Sequence, residues 1–131
     1  MNGDEERPPK KQPQIKSAPR IRQFYWCDFP KDAQLPELWK RRPVIIISKT
    51  ATLNGAVTVI PCTTQAAQDP RIAFPLRTTI DGRAAWAICD KPTTVAVSRL
   101  VPTQGAIPRM PVDEFHEMLR IFFGLLPKLP D

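Results

Sequence analysis

Two short apolar runs joined by a turn signal constrain this chain more than any other feature. The first is Arg42-Pro43-Val44-Ile45-Ile46-Ile47-Ser48 and the second Val57-Thr58-Val59-Ile60-Pro61-Cys62-Thr63-Thr64, with Asn54-Gly55 between them. β-Branched residues in runs of this length favour strands, and Asn-Gly favours a tight reversal. The runs therefore read as neighbouring strands, Arg42 at the start of one and Thr63-Thr64 at the end of the other. Such ends meet on one rim of a small barrel. A guanidinium beside a hydroxyl, with no metal ligands near, suits a phosphodiester, so RNA or DNA is the expected ligand.

Proline sharpens the strand boundaries. Pro43 is expected at the first position of its strand, because it has no N–H for a ladder, and it biases Arg42 toward extended backbone. Pro61 is expected to stop pairing for the same reason, which leaves Thr63 and Thr64 just past a strand end. Upstream, Phe24, Trp26 and Asp28 alternate with Tyr25, Cys27 and Phe29, a period-2 strand ended by Pro30. Residues 30–41 read as a loop carrying Glu37, Trp39, Lys40 and Arg41. Residues 72–77 and 84–89 flank Asp81-Gly82, a hairpin signal, and 93–97 adds a short strand.

The last segment changes period. Phe115, Met118, Leu119, Phe122, Leu125 and Leu126 follow helical spacing. Pro111 suits the first turn, Asp113 and Glu114 suit the positive end, and Pro127 closes the helix. Five or six short strands before one helix predict a mainly β fold: a small β-barrel with a C-terminal amphipathic helix.

With 131 residues, one domain is expected. Residues 1–20 are charged and proline-rich and read as a disordered basic tail, leaving 21–131 as the folded domain. Lys10, Lys11, Lys16 and Arg20 in that tail add positive charge to a chain of net charge +6, which favours a polyanion or an acidic protein as partner. Cys27, Cys62 and Cys89 lie scattered in apolar runs, as buried reduced thiols do. His116 is the only histidine, so no zinc site is expected, and no cofactor. No apolar run approaches the roughly 20 residues a membrane span needs, and no leader is visible. The expected setting is the cytoplasm.

These motifs also carry a family resemblance. Trp26-Cys27-Asp28-Phe29, Arg42-Pro43 with its aliphatic run, Val59-Ile60-Pro61-Cys62-Thr63-Thr64-Gln65, Ile88-Cys89-Asp90-Lys91 and Val97-Ser98-Arg99-Leu100 resemble, in order, the MazF/PemK toxins of type II toxin–antitoxin pairs. The resemblance spans roughly residues 22–126. It implies an SH3-like barrel of the CcdB/MazF type that forms a homodimer and is restrained by a cognate antitoxin protein. It also implies a metal-independent, sequence-specific endoribonuclease (an mRNA interferase) acting on single-stranded RNA. Such an enzyme leaves a 2′,3′-cyclic phosphate and a 5′-hydroxyl and stops growth by blocking translation.

Carried over residue by residue, the resemblance places Arg42 and Thr63 at the scissile phosphate as catalytic groups. Glu37 and Asp90 match carboxylates able to act as general base. Arg41, Lys40, Trp39, Thr64 and Gln65 are the expected RNA-binding set, with Trp39 as a stacking face; Trp26 is expected in the core. Three departures stand out. Arg22-Gln23 replaces an acidic start of the barrel, Leu35-Pro36 replaces a glycine-containing pair before Glu37, and Ile88 stands where PemK-type relatives carry an arginine. Two other readings fit the same fold: an inactive relative that binds RNA or antitoxin, and a CcdB-like DNA gyrase poison. The ending Lys128-Leu129-Pro130-Asp131 lacks the Trp-Gly-Ile tail of CcdB.

Overall fold

A computed structural model describes residues 7–66 and 69–130 of the chain. Seven strands form one antiparallel sheet: β1 (Phe24–Asp28), β2 (Arg41–Ile46), β3 (Ala56–Thr63), β4 (Ala73–Pro75), β5 (Trp86–Ile88), β6 (Thr93–Ala96) and β7 (Leu100–Val101). The helix α1 (Val112–Gly124) follows. The strand order is β4-β5-β3-β2-β1-β7, with β6 paired to β3. The sheet is barrel-like without closing: among the described residues β4 and β7 do not pair with each other.

Both faces of the central strands are covered, which explains why they read as continuous apolar runs. Ile45, Ile60 and Cys62 point into one core with Phe24, Phe115 and Met118. Val44, Ile46, Val57 and Val59 point into another with Tyr25, Cys27 and Leu100. Helix α1 caps the first core through Phe115 and Met118; burying side chains of that size stabilises by about 2–3 kcal/mol each. All three thiols are buried. Desolvation pushes Cys27 up to about 12 and Cys89 to about 11, and raises Cys62 as well, so all three stay protonated.

The prolines sit deeper in the strands than the sequence suggests. Pro43 is the third residue of β2, and β3 runs through Pro61 to Thr63. The ladder explains both. Thr58 directs its N–H and carbonyl toward the β2 side, where they meet Ser48 Oγ at 2.6 Å and Ile47 N at 3.0 Å. By alternation Pro61 faces away, into the gap between β6, which pairs as far as Val59, and β5, which starts at Cys62. Pro43 faces β3 one residue beyond the last β2–β3 pair, Val44↔Pro61. Neither ring removes a bond that the ladder needs.

The Asp81-Gly82 signal holds: φ is 50° at Asp81 and 75° at Gly82, the two positive values of a type I′ turn, with Ile80 and Arg83 exchanging both backbone bonds at 3.0 Å. Helix α1 ends at Gly124, before the Pro127 stop, so Leu125 and Leu126 of the expected stripe lie beyond it and are exposed. Pro111 is the residue capping its start. Glu114 is fully buried: one oxygen accepts the backbone N–H of Arg77 and the other the Thr78 hydroxyl at 3.1 Å. It anchors the segment before the hairpin to the helix.

Residues 7–20 form no helix or strand, but they are not a detached tail. Ile15 is 8% exposed within the second core, and Gln14 Nε2 donates to the Ser98 carbonyl at 3.1 Å. A proline-rich segment has little backbone freedom to lose, so a single well-placed isoleucine suffices to dock it. Residues 1–6 lie outside the described residues. Ile15→Ala is expected to lower stability by about 2 kcal/mol, read as a lower urea midpoint with an unchanged slope; an undocked arm predicts no shift.

Candidate functional site

Beyond Val44↔Pro61 the two central strands part, and β3 turns to pair with β5 through Cys62↔Ala87 and Thr63↔Trp86. A cleft of about 200 Å³ opens at this fork. Arg42, Thr63, Thr64, Gln65, Lys40 and Arg41 all line it, so most of the expected set converges. Trp26, Pro43, Cys62 and Arg83 complete the walls.

Arg42 is half-buried, and its Nε donates to the Trp39 carbonyl at 3.1 Å. None of the ion pairs among the described residues involves it. Partial burial pulls its pKa below the ordinary arginine value, because desolvation disfavours the charged form. The guanidinium nonetheless keeps its charge at neutral pH. A desolvated, unpaired cation is a strong attractor for an anion. Thr63 Oγ1 accepts the Gln65 N–H at 3.1 Å, which leaves its own proton free to donate.

Arg41 has a different role. It forms a two-pronged pair with Asp28, Nε to Oδ1 at 2.7 Å and Nη2 to Oδ2 at 3.2 Å, across the β1–β2 register. The hydrogen bond to Asp28 raises its pKa, and its charge is largely spent locally. Lys40 lies 5.2 Å from the centroid of the Trp39 ring, a cation–π contact, and Trp39 is 46% exposed. The Lys40 backbone is left-handed at φ 60°, which turns the loop into β2 while its carbonyl accepts the Phe29 N–H at 3.1 Å.

The two candidate bases are not brought to the fork. Glu37 closes a local turn, its Oε1 accepting the Gln34 N–H at 2.7 Å, and lines a separate cleft with Phe29, Leu38 and Lys91. Asp90 is exposed in the turn between β5 and β6. One wall residue, Arg83, escaped the sequence reading, and another, Trp26, was expected in the core. Trp26 is half-buried, touches the first core and also faces the cleft. Arg83 follows the hairpin turn and is exposed. The I′ geometry of Asp81-Gly82 fixes where Arg83 emerges, and the turn signal was the clue that could have found it. Among the described residues no cluster of three His, Cys, Asp or Glu could hold a metal ion.

Fold and cleft together define a small barrel-like β protein whose strand fork presents arginine and threonine. A sequence profile of the PemK-like, MazF-like toxins of type II toxin–antitoxin systems matches residues 21–123, and the chain belongs to this family. Three solved structures show the same fold. MazF from Deinococcus radiodurans aligns with a TM-score of 0.65 at 19% identity, covering 84% of this chain and 97% of that one. An endoribonuclease in complex with its cognate antitoxin, from a mycobacterial species, gives 0.59 at 17%, covering 85% and 100%. A MazE-MazF complex from D. radiodurans gives 0.58 at 17%, covering 84% and 96%. No curated protein sequence matches the chain.

Proposed function

We propose that this chain is the toxin of a toxin–antitoxin pair and cuts single-stranded RNA at the fork between β2 and β3. The observation that carries this reading is the unpaired, half-buried Arg42 beside a threonine hydroxyl whose proton is free. RNA brings its own nucleophile. The 2′-hydroxyl attacks the neighbouring phosphorus, the bond to the 5′-oxygen breaks, and that oxygen regains a proton as a 5′-hydroxyl. The products are a 2′,3′-cyclic phosphate and a 5′-hydroxyl end. Charge builds on the non-bridging oxygens as the phosphorane forms, and Arg42 and Thr63 donate to it there. The groups at the fork are cations and hydroxyls, which suit an anion and need no metal.

Glu37 is the carboxylate we assign to the 2′-hydroxyl proton, because its loop continues into Lys40, Arg41 and Arg42, which line the cleft; Asp90 is the second candidate. Catalytic hydrogen bonds often tighten only with substrate bound. Thr64, Gln65, Lys40, Trp39 and Arg41 border the RNA path and set sequence preference. An antitoxin with an acidic flexible segment fits the same basic cleft, and we place the working protein in the cytoplasm as a homodimer. No helix among the described residues is long and apolar enough to cross a membrane.

Cleavage of a long unstructured RNA in EDTA tests the proposal. Defined cuts ending in 2′,3′-cyclic phosphate are expected, and cuts that vanish with the chelator would overturn metal independence. The position of Glu37 and Asp90 away from the fork favours one second reading, a relative that binds RNA without cutting it. Retention of RNA by folded protein with no cuts would establish that one.

A further inference from the structure

The cleft at the fork is one limb of a longer groove. A second depression, of about 420 Å³, shares Trp26, Arg41 and Arg83 with it and continues to Asp81, Pro102 and Gln104. Arg83 is the pivot: it belongs to both limbs, is exposed, and takes part in none of the ion pairs among the described residues. Arg41, the other shared cation, is engaged by Asp28.

The walls of this limb are fixed in place. Asp81 receives Trp26 Nε1 on one oxygen at 2.8 Å and the Gln104 N–H on the other at 2.9 Å. Its carboxylate is thereby committed to structure, and it holds both the indole and the 104 loop against the hairpin that bears Arg83. A held indole beside an unpaired guanidinium, next to an anion site, matches one repeat of a single strand: base on an aromatic ring, phosphate on an arginine.

We propose that the second limb is a subsite for the nucleotide adjacent to the scissile phosphate, with Arg83 on its phosphate and Trp26 against its base. The location of the scissile phosphate rests on the ribonuclease reading above; the binding itself does not. Phosphate contacts set affinity and its salt dependence, and each contact on a single strand adds about 0.7 to the logarithmic salt slope.

The experiment measures binding of a fluorescent 2′-O-methyl RNA dodecamer, which lacks the nucleophile, to full-length wild type, Arg83→Ala and Arg83→Lys across a salt series. Arg83 is an exposed turn residue, so both variants are expected to fold, checked by circular dichroism. Arg83→Ala should bind about 5- to 10-fold more weakly with a slope shallower by about 0.7, and Arg83→Lys should restore the slope. Unchanged affinity and slope in Arg83→Ala would overturn the subsite even in a protein that cleaves. A loss seen with RNA in a protein that never cleaves would leave the subsite standing and remove the ribonuclease. If Arg83→Ala weakens only poly-glutamate binding, the limb takes an acidic protein segment and the proposal fails.

Discussion

Replacing Arg42 by alanine is expected to slow single-turnover RNA cleavage by about 10³-fold, the loss typical when a preorganised donor to developing charge is removed. The reasoning is geometric. Arg42 reaches the cleft as a half-buried group that donates to the Trp39 carbonyl, and it takes part in none of the ion pairs among the described residues. Its fork is therefore free for the phosphorane. The bond to Trp39 O is exposed, so water can replace the lost donor and the fold should survive with an unchanged melting temperature. Arg42→Lys keeps the charge without the planar fork and should fall between the two. A folded Arg42→Ala protein that cuts at the wild-type rate would remove this residue from the chemistry.

The second large effect is on stability. Glu114→Ala is expected to destabilise the protein by about 3 kcal/mol and lower its melting temperature by roughly 10 °C. Glu114 has no exposed surface, and its two oxygens satisfy the Arg77 N–H and the Thr78 hydroxyl. Alanine strands both donors and leaves a hole under the helix. Glu114→Gln keeps a carbonyl for one donor, and Thr78 can rotate to accept from the amide, so about 1 kcal/mol is expected there. By contrast, Arg77 meets Glu117 at 3.1 Å and Asp113 at 3.5 Å in the open. Such exposed pairs contribute little. Calorimetry showing Glu114→Ala as stable as wild type would refute the anchoring role.

Much of the fold was written in local patterns. The apolar runs, the Asp81-Gly82 turn and the helical spacing around Phe115 each carry a period or a turn residue that acts alone. That Arg42 and Thr63 would lie at one cleft was legible because the runs that carry them read as neighbouring strands, although β3 runs on through Pro61 to Thr63. The remainder depends on contacts far apart in sequence. Whether Ile15 docks depends on Val97 and Leu100, more than 80 residues on, and composition cannot show that. Arg41 read as an accessory phosphate contact, and its pairing with Asp28 could be seen only once the β1–β2 register was known. Trp26 reads as core by alternation and is core on one side only, because the fork exposes its other side. Glu114 reads as a first-turn acid; its burial follows from where the 77–78 segment crosses the helix.

The stitching between the two ends of the chain bears on how the protein is made. Phe24 N–H bonds to Pro108 O, Met110 N–H to Arg22 O, and Arg109 Nε to Ile21 O, while Gln14 reaches Ser98. Translation emits the arm and β1 well before their partners. At about 5–20 residues per second, several seconds separate the two. Long-range closure of this kind is slow to nucleate and is the last event to be satisfied. A nascent chain carries Arg42 and Thr63 early, yet the flank that holds β1 against β2 is incomplete until residues near 110 have emerged. For a member of a toxin family, synthesis itself is then a timer: the flank of the groove is complete only once residues near 110 have emerged.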